Sequence, residues 1–237
     1  MKFPRSAART GLETWVAGTA SPAMTERAVS DALHKSYKLR SFSGQKARRL
    51  RPSVKGCALL KLSAGLALLL LSGSAQALEL KSDDIKPGAT IADTQVLNVY
   101  GCTGGNVSPE FSWSGAPSGT KSFALMMFDS DAPTGHGFLH WLVFDIPADV
   151  SMLARGAGDP GGSLPQGASQ TLNDFGDLGY GGPCPPQGDK PHRYHFTIYA
   201  LKVEKLDAGA NASASQVVAK LLKATIAKAE FIALRGQ

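Results

Sequence analysis

Long hydrophobic runs are nearly absent from this 237-residue chain, and it contains only three cysteines. Its one marked apolar stretch, residues 62–71, falls well short of the ~20 residues that a membrane-spanning helix needs. A polytopic membrane protein is therefore excluded. Full disorder is excluded as well, because 43% of the residues are hydrophobic and the chain can bury a sizeable core.

Basic residues are scarce in the part of the chain that is predicted to fold, although the formal net charge is +6. Residues 1–77 contain 13 Lys and Arg against 3 Asp and Glu, whereas residues 78–237 contain 12 against 16. Nucleic-acid binding needs a concentrated basic surface. The mildly acidic second part therefore predicts no nucleic-acid partner.

Residues 48–77 have the three parts of a secretory signal peptide. Basic residues at 48–55 precede the apolar run at 62–71, and small residues end the segment at Ala77. A short transmembrane anchor is the alternative, but the run is too short for one. No cysteine follows the run where a lipoprotein signal needs it. The pattern predicts cleavage after Ala77 and a periplasmic or secreted protein.

Residues 1–47 are polar and basic, with no hydrophobic period. Their composition resembles a transit peptide, but a translation start assigned too early is the favoured interpretation. The expected organisation is an extension at 1–47, a signal peptide at 48–77 and one domain at 78–237.

Two cysteines remain once the signal peptide, which contains Cys57, is removed. An even pair in an oxidising compartment is typical of a disulfide. We therefore expect Cys102 and Cys184 to be bonded, with two unrelated buried thiols as the alternative.

Apolar and β-branched runs separated by Gly, Pro, Ser and Asp predict a mostly β domain with a helix at its end. The predicted strands are Thr94–Tyr100, Glu110–Trp113, Ser122–Phe128, Trp141–Ile146 and Tyr194–Leu201. From Ser213 to Leu234, apolar residues recur at helical spacing without Gly or Pro, which predicts one amphipathic helix. Residues 155–191 are rich in Gly and Pro and predict a long functional loop.

Residues suited to chemistry stand at the ends of three of these strands. Asp129 and Asp131 follow one strand, and side chains two apart in an extended segment point to the same side. His140 begins the next strand, and His192 and Tyr194 begin the last one with the same spacing. A lone histidine at a strand start is usually a structural residue. Together, the five residues predict a polar site at one end of a sheet.

Six ordered motifs run through the predicted domain. They are Asn106-Val-Ser-Pro-Glu-Phe-Ser-Trp113, Gly119-Thr-Lys-Ser-Phe-Ala-Leu125, Asp129-Ser-Asp-Ala-Pro133, His140-Trp-Leu-Val-Phe-Asp-Ile-Pro147, Gly179-Tyr-Gly-Gly-Pro-Cys-Pro-Pro186 and His192-Arg-Tyr-His-Phe-Thr-Ile-Tyr-Ala-Leu201. Over residues 94–234 the sequence resembles the phosphatidylethanolamine-binding proteins, also called Raf kinase inhibitor-like proteins, in their bacterial branch. The resemblance implies a central antiparallel β-sheet, a smaller second sheet and peripheral helices, including the C-terminal one.

The resemblance also implies a small pocket at one end of the sheet for phosphate or a phosphoethanolamine-like head group. The matching positions are Asp129, Asp131, Pro133, His140, Gly182, Pro183, His192 and Tyr194, with Trp141 and Tyr180 as second choices. No cofactor and no metal are implied. The chain departs from the family's pattern at Ser130, where proline is usual, and without proline the turn is less rigid.

The chemistry of such a pocket leads to three expectations. An Asp beside a His fixes the tautomer and favours imidazolium, which binds phosphate well. Gly181 and Gly182 would let backbone N–H groups reach the anion, whereas Arg193 should lie on the other face of its strand. With reference pKa values of about 6.5 for His and near 6 for a phosphomonoester, binding should be strongest at about pH 6–7.

The favoured function is a non-catalytic protein that binds a small anionic ligand. A hydrolase that uses the Asp/His pair as general base is one alternative. A binding inhibitor of a protein partner such as a protease is another, and a homodimer is compatible with either. Residues 161–165, Gly-Gly-Ser-Leu-Pro, do not form a G-x-S-x-G nucleophile elbow, and no H-E-x-x-H zinc motif occurs.

The signal-peptide interpretation predicts that the protein recovered from cells begins at Leu78. N-terminal sequencing or intact mass measurement checks this. Recovery of a membrane-bound species that retains residues 48–77 would contradict it.

Overall fold

Two antiparallel sheets and one helix form the part of the chain that the computed structural model describes, residues 77–208 and 212–237. The extension predicted at 1–47 and the signal peptide, up to residue 76, lie outside these residues. Among the described residues, no helix has the length and apolarity to cross a membrane.

The strands follow one another along the chain with a single α-helix inserted before the last. They are β1 (Glu79–Lys81), β2 (Phe111–Ser114), β3 (Ser122–Asp129), β4 (Phe138–Pro147), β5 (Met152–Leu153), β6 (Ser169–Gln170), β7 (His192–Leu201), then α1 (Ala214–Ala224) and β8 (Thr225–Arg235). A short 3-10 helix spans Asp93–Gln95. The smaller sheet has the order β1-β2-β5 and the larger one β6-β4-β3-β7-β8. The mostly β fold with two sheets and a helix near the C-terminus is therefore confirmed.

The larger sheet is covered on both faces. On one face its strands pack against the smaller sheet, where Phe111 and Trp113 of β2 join the core. On the other face, Val217, Val218 and Leu221 of α1 close a second core. A strand buried on both sides is apolar throughout rather than alternating, which explains the uninterrupted apolar run of β3.

The helix predicted from Ser213 to Leu234 is wrong in its second half. The helix begins as expected, because Ser213 and Gln216 form a reciprocal capping box, but it ends at Ala224. From Thr225 onward the chain pairs with β7 over its whole length, and Phe231 and Ala233 alternate into the core. Alanine favours a helix by intrinsic propensity, so this Ala-rich segment resembled a helix in sequence, and its pairing with β7 overrides that preference.

The strand predicted at Thr94–Tyr100 is also wrong. Only the short 3-10 helix forms there, and Val96 and Leu97, which are consecutive, are both buried. Their backbone groups bond to loop residues instead of a neighbouring strand: the N–H of Leu97 donates to the carbonyl of Pro183 over 3.2 Å. Alternation of buried and exposed side chains, which a surface strand requires, is therefore absent.

The predicted disulfide is confirmed. Cys102 and Cys184 are bonded, with a Cα–Cα distance of 6.0 Å and a sequence separation of 82 residues. The bond joins the segment after the 3-10 helix to the loop that precedes β7. It thus holds together two loops at the end of the sheet where β3 ends and β7 begins.

Removing this disulfide should reduce the free energy of unfolding by about 3–5 kcal/mol, because the unfolded chain regains the entropy of a long closed loop. The double variant Cys102→Ser/Cys184→Ser, compared with the oxidised parent in urea unfolding, measures the difference. A loss below about 1 kcal/mol would contradict this expectation, since the loop would then not constrain the unfolded state.

Candidate functional site

A buried carboxylate and a buried imidazole meet where β3 ends and β7 begins. The register pairs Asp129 with Tyr194, which brings His192 alongside. The Nδ1 atom of His192 lies 2.7 Å from Oδ2 of Asp129, and both side chains are about 95% buried. A buried charge needs a partner with good hydrogen bonds, and each residue supplies the other's.

The second oxygen of Asp129 shapes the turn that follows β3. Its Oδ1 accepts the N–H of Asp131 over 2.8 Å, so that Asp131 turns away towards the surface. There both carboxylate oxygens of Asp131 are bound by the guanidinium of Arg193, at 2.8 and 2.5 Å. These hydrogen bonds lower the pKa of Asp131 despite partial burial. The structure therefore places Asp131 on Arg193 rather than on a histidine.

A β-bulge brings His140 to the same face as the Asp129–His192 pair. Opposite β3, the pairing moves from Met127↔Trp141 to Phe128↔Leu139, which leaves His140 as the extra residue. A bulge redirects side chains locally. His140 accordingly lies edge-on to Tyr194, with ring centroids 5.3 Å apart.

His140 has one fixed tautomer in its neutral form. Its Nδ1 lies 2.7 Å from the carbonyl oxygen of Gly181, which can only accept, so Nδ1 carries the proton and Nε2 is an acceptor. Burial lowers the pKa of His140, and this effect outweighs the charge of Asp129. A neighbouring Asp favours imidazolium as expected, but at this residue burial has the larger effect.

The Tyr194 hydroxyl is the unusual polar group of the site. The residue has no exposed surface, and its hydroxyl lies near Asp129 without a well-formed hydrogen bond to any of the described residues. Burial first, and then the charge of Asp129 and a weak hydrogen-bonding contact with its carboxylate, raise the pKa of Tyr194. The hydroxyl thus stays protonated.

The second ring nitrogen of His192, Nε2, faces a partly exposed residue of the loop before β7. This nitrogen lies 3.5 Å from Oδ2 of Asp189, whose side chain is half exposed. An ion pair with such an exposed partner is worth little. An incoming anion could therefore replace Asp189 at small cost.

The two glycines expected to expose N–H groups do not do so. The N–H of Gly181 donates to the carbonyl of His140 over 3.0 Å, and that of Gly182 donates to Oδ1 of Asn106 over 2.8 Å. A Cβ on Gly182 would overlap the carbonyl oxygen of Gln95. Glycine is needed here for close packing of two loops, and in this conformation both N–H groups are bonded within the protein.

Four other predicted site residues lie around the pair without joining it. Trp141 is fully buried in the core and donates to Oε1 of Gln170 over 3.0 Å. The Tyr180 hydroxyl donates to the carbonyl of Gln95 over 2.8 Å. Pro133 is exposed in the turn after β3, and Pro183 is buried in the loop before β7.

A surface pocket of about 630 Å³ adjoins the site. Its lining residues are Tyr100, Gly101, Phe138, Asp174, Phe175, Cys184, Pro185, Pro186, Gln187 and Gln237. Two of these rings also contact the His140 imidazole: Phe138 and Phe175, with centroids 5.0 and 5.5 Å away. The disulfide thus forms part of the wall, and the two phenylalanines lie between the pocket and His140.

Sequence reasoning missed Asn106, Phe138 and Phe175 as residues that shape the site. Asn106 holds the loop that contains Gly182, and it adopts a positive φ of 50° that asparagine tolerates. Because Asn106 begins one of the six motifs, the sequence did give a signal for it. Nothing in the sequence indicates that the Phe138 and Phe175 rings contact His140. Among the described residues, no group of three or more His, Cys, Asp or Glu side chains could hold a metal ion.

Comparison with known proteins gives a family match over most of the described residues. The family model described as "Phosphatidylethanolamine-binding protein" matches residues 81–235. The chain is 48% identical to YbcL of Escherichia coli, over 71% of this chain and 92% of that protein. It is 39% identical to a protein of Mycobacterium tuberculosis named as the lipoprotein LppC, over 51% of this chain and 57% of that protein.

The structural comparison agrees. The crystal structure of Escherichia coli YbcL superposes with a TM-score of 0.66 at 46% identity, and covers 68% of this chain and 98% of that one. A matching family model, closely related sequences and a shared fold lead to one conclusion: the chain belongs to the phosphatidylethanolamine-binding protein family.

Proposed function

We propose that this chain is an exported protein that binds the phosphate of a small phosphomonoester, such as phosphoethanolamine, between His192 and Tyr194. The observation that carries the proposal is the Tyr194 hydroxyl, fully buried beside an Asp–His pair and without a hydrogen-bond partner among the described residues. Leaving such a group unpaired costs about 1–3 kcal/mol. A ligand oxygen at this position would supply the partner.

The hydrogen-bonding groups favour a monoanion over a dianion. Tyr194 donates, and His192, held by Asp129, donates from Nε2 when protonated. His140 can only accept at Nε2, because its Nδ1 proton is bound to Gly181. A ligand that fits must therefore carry both a charged oxygen and an O–H group, and a phosphomonoester monoanion has both.

Export is supported by three independent features. The sequence pattern at residues 48–77 is that of a signal peptide, and the Cys102–Cys184 bond is typical of an oxidising compartment. A relative from Mycobacterium tuberculosis is named as a lipoprotein. These three features support the proposal that the protein is periplasmic or secreted.

The other functions predicted from the sequence stay predictions. A hydrolase would use Nε2 of His192 as general base with Asp129 behind it, and it would show itself as turnover of the ligand. A protein partner, such as a protease, and a homodimer need direct binding and mass measurements.

Replacing Tyr194 by Phe should weaken binding of phosphoethanolamine about 10- to 100-fold, the value of one hydrogen bond to a charged group. Because the hydroxyl is unpaired in the free protein, the free energy of unfolding should not fall. Calorimetric titration and urea unfolding measure the two quantities.

Tyr199→Phe is the matched control, since Tyr199 is also buried in β7 but faces the α1 side of the sheet. Equal affinities of the two variants would refute the proposed contact. Release of inorganic phosphate during the titration would favour the hydrolase alternative.

Binding should weaken about tenfold for each pH unit above pH ~6, where the phosphomonoester loses its second proton. The reason is that Nε2 of His140, whose pKa is lowered by burial, accepts a hydrogen bond from the O–H group of the monoanion, and the dianion has no O–H group to donate. The maximum expected from the sequence at pH 6–7 therefore moves to lower pH. Calorimetry of phosphoethanolamine from pH 5.5 to 8.5 measures the slope.

An alkyl sulfate is the control, because it is a monoanion that carries no O–H group in this pH range. It should bind at least about tenfold more weakly than phosphoethanolamine at pH 5.5, since it cannot donate to His140. Equal affinities of the two ligands at that pH would show that the ligand proton is not needed, and the role assigned to His140 would be wrong.

A further inference from the structure

A second histidine of β7 is bonded on both of its nitrogens. The Nε2 atom of His195 lies 3.1 Å from Oγ of Ser130, and its Nδ1 lies 3.1 Å from Oε1 of Glu230. An ionised carboxylate only accepts, so Nδ1 carries a proton, and in the neutral imidazole Nε2 accepts a hydrogen bond from the Ser130 hydroxyl. This is the order of groups in a nucleophilic Ser–His–acid triad.

The three residues come from three neighbouring strands of the larger sheet. Ser130 follows the last residue of β3, and its N–H donates to the carbonyl of Arg193 in β7 over 3.2 Å. In β8, Glu230 is paired with Thr197, two residues beyond His195. A sequence motif such as a nucleophile elbow is therefore not needed to assemble them.

The carboxylate of Glu230 is held in its charged form. Burial alone would raise its pKa, but the hydrogen bond from His195 and the charge of Lys228 together lower it. Its Oε2 accepts the Thr197 hydroxyl over 3.2 Å and lies 3.6 Å from Nζ of Lys228. The charge and orientation that a triad acid needs are both present.

The triad is separate from the Asp129–His192 pair. Side chains alternate along a strand, so His195 lies on the opposite face of β7 from Tyr194. His195 is 5% exposed, whereas Ser130 is partly exposed at the surface turn. A small molecule can thus reach the hydroxyl while the histidine stays shielded.

We propose that Ser130, His195 and Glu230 form an acyl-transfer site that acts on small carboxylic esters. The Ser130 oxygen attacks the ester carbonyl carbon while His195 Nε2 takes the hydroxyl proton. The C–O bond to the leaving alcohol then breaks, and that proton leaves with the alcohol. Water, activated by His195, attacks the acyl-serine in turn, which releases the acid and restores the hydroxyl. Glu230 acts through His195 as a positioning residue.

The test uses the mature protein with p-nitrophenyl acetate, an activated ester whose leaving group needs little protonation. We expect p-nitrophenolate release together with an acetyl adduct on Ser130, located by fragmentation of the tryptic peptide 122–155. Ser130→Ala should lose the adduct and at least about 90% of the rate. The variant lies at the surface, so an unchanged melting temperature is expected.

Two further variants separate catalysis from structure. Glu230→Gln keeps the shape of the side chain but not its charge. It should lower the maximal acylation rate about tenfold or more, while the ester concentration that gives half of that rate stays unchanged. Ser151→Ala, an exposed serine in the same tryptic peptide, should change nothing. An adduct located elsewhere, for instance on His136, or a rate that Ser130→Ala leaves unaltered would overturn the proposal.

Discussion

The hydrogen-bonded pair of Asp129 and His192 is the interaction on which this end of the molecule depends. One carboxylate oxygen binds the imidazole and the other binds the backbone N–H of Asp131. The carboxylate thereby fixes a histidine tautomer and a turn at once. Because that turn directs Ser130 towards His195 and Asp131 towards Arg193, a single buried charge sets the direction of three side chains.

Strand β7 places polar groups on both faces near its start. His192 and Tyr194 face the Asp129 carboxylate, and His195 faces Glu230. A polar group that is buried without a partner is costly, and each of these two histidines of β7 is partnered by its own carboxylate. Those carboxylates come from the strands on either side of β7, in agreement with the sheet order.

Patterns of side chains made most of the architecture predictable. Runs such as Ser122–Phe128 and Tyr194–Leu201 lie within observed strands because strands covered on both faces must be apolar. The prediction for the segment after Ala224 was wrong because its alanines favour a helix by intrinsic propensity, whereas pairing with β7 makes it a strand. The strand predicted at Val96 and Leu97 does not form, because both side chains are buried by contacts with loops instead of alternating between core and solvent.

The site was predictable in its residue types but not in its hydrogen bonding. Strand ends that meet at one edge of a sheet brought Asp129, His140 and His192 together, as their positions indicated. The neutral state of His140 follows from burial, and the engagement of Gly182 by Asn106 follows from loop packing. Both depend on contacts between residues far apart in the sequence, which spacing does not encode.

The extra residue in β4 has a consequence for how this strand can change. Met127 pairs with Trp141 and Phe128 with Leu139, so His140 has no partner of its own in the ladder. Deleting it would restore regular pairing and would leave Trp141 in the core. A shorter, more regular β4 would thus keep the scaffold and lose the imidazole, so the irregularity of this strand serves the position of one side chain and not the pairing of the sheet.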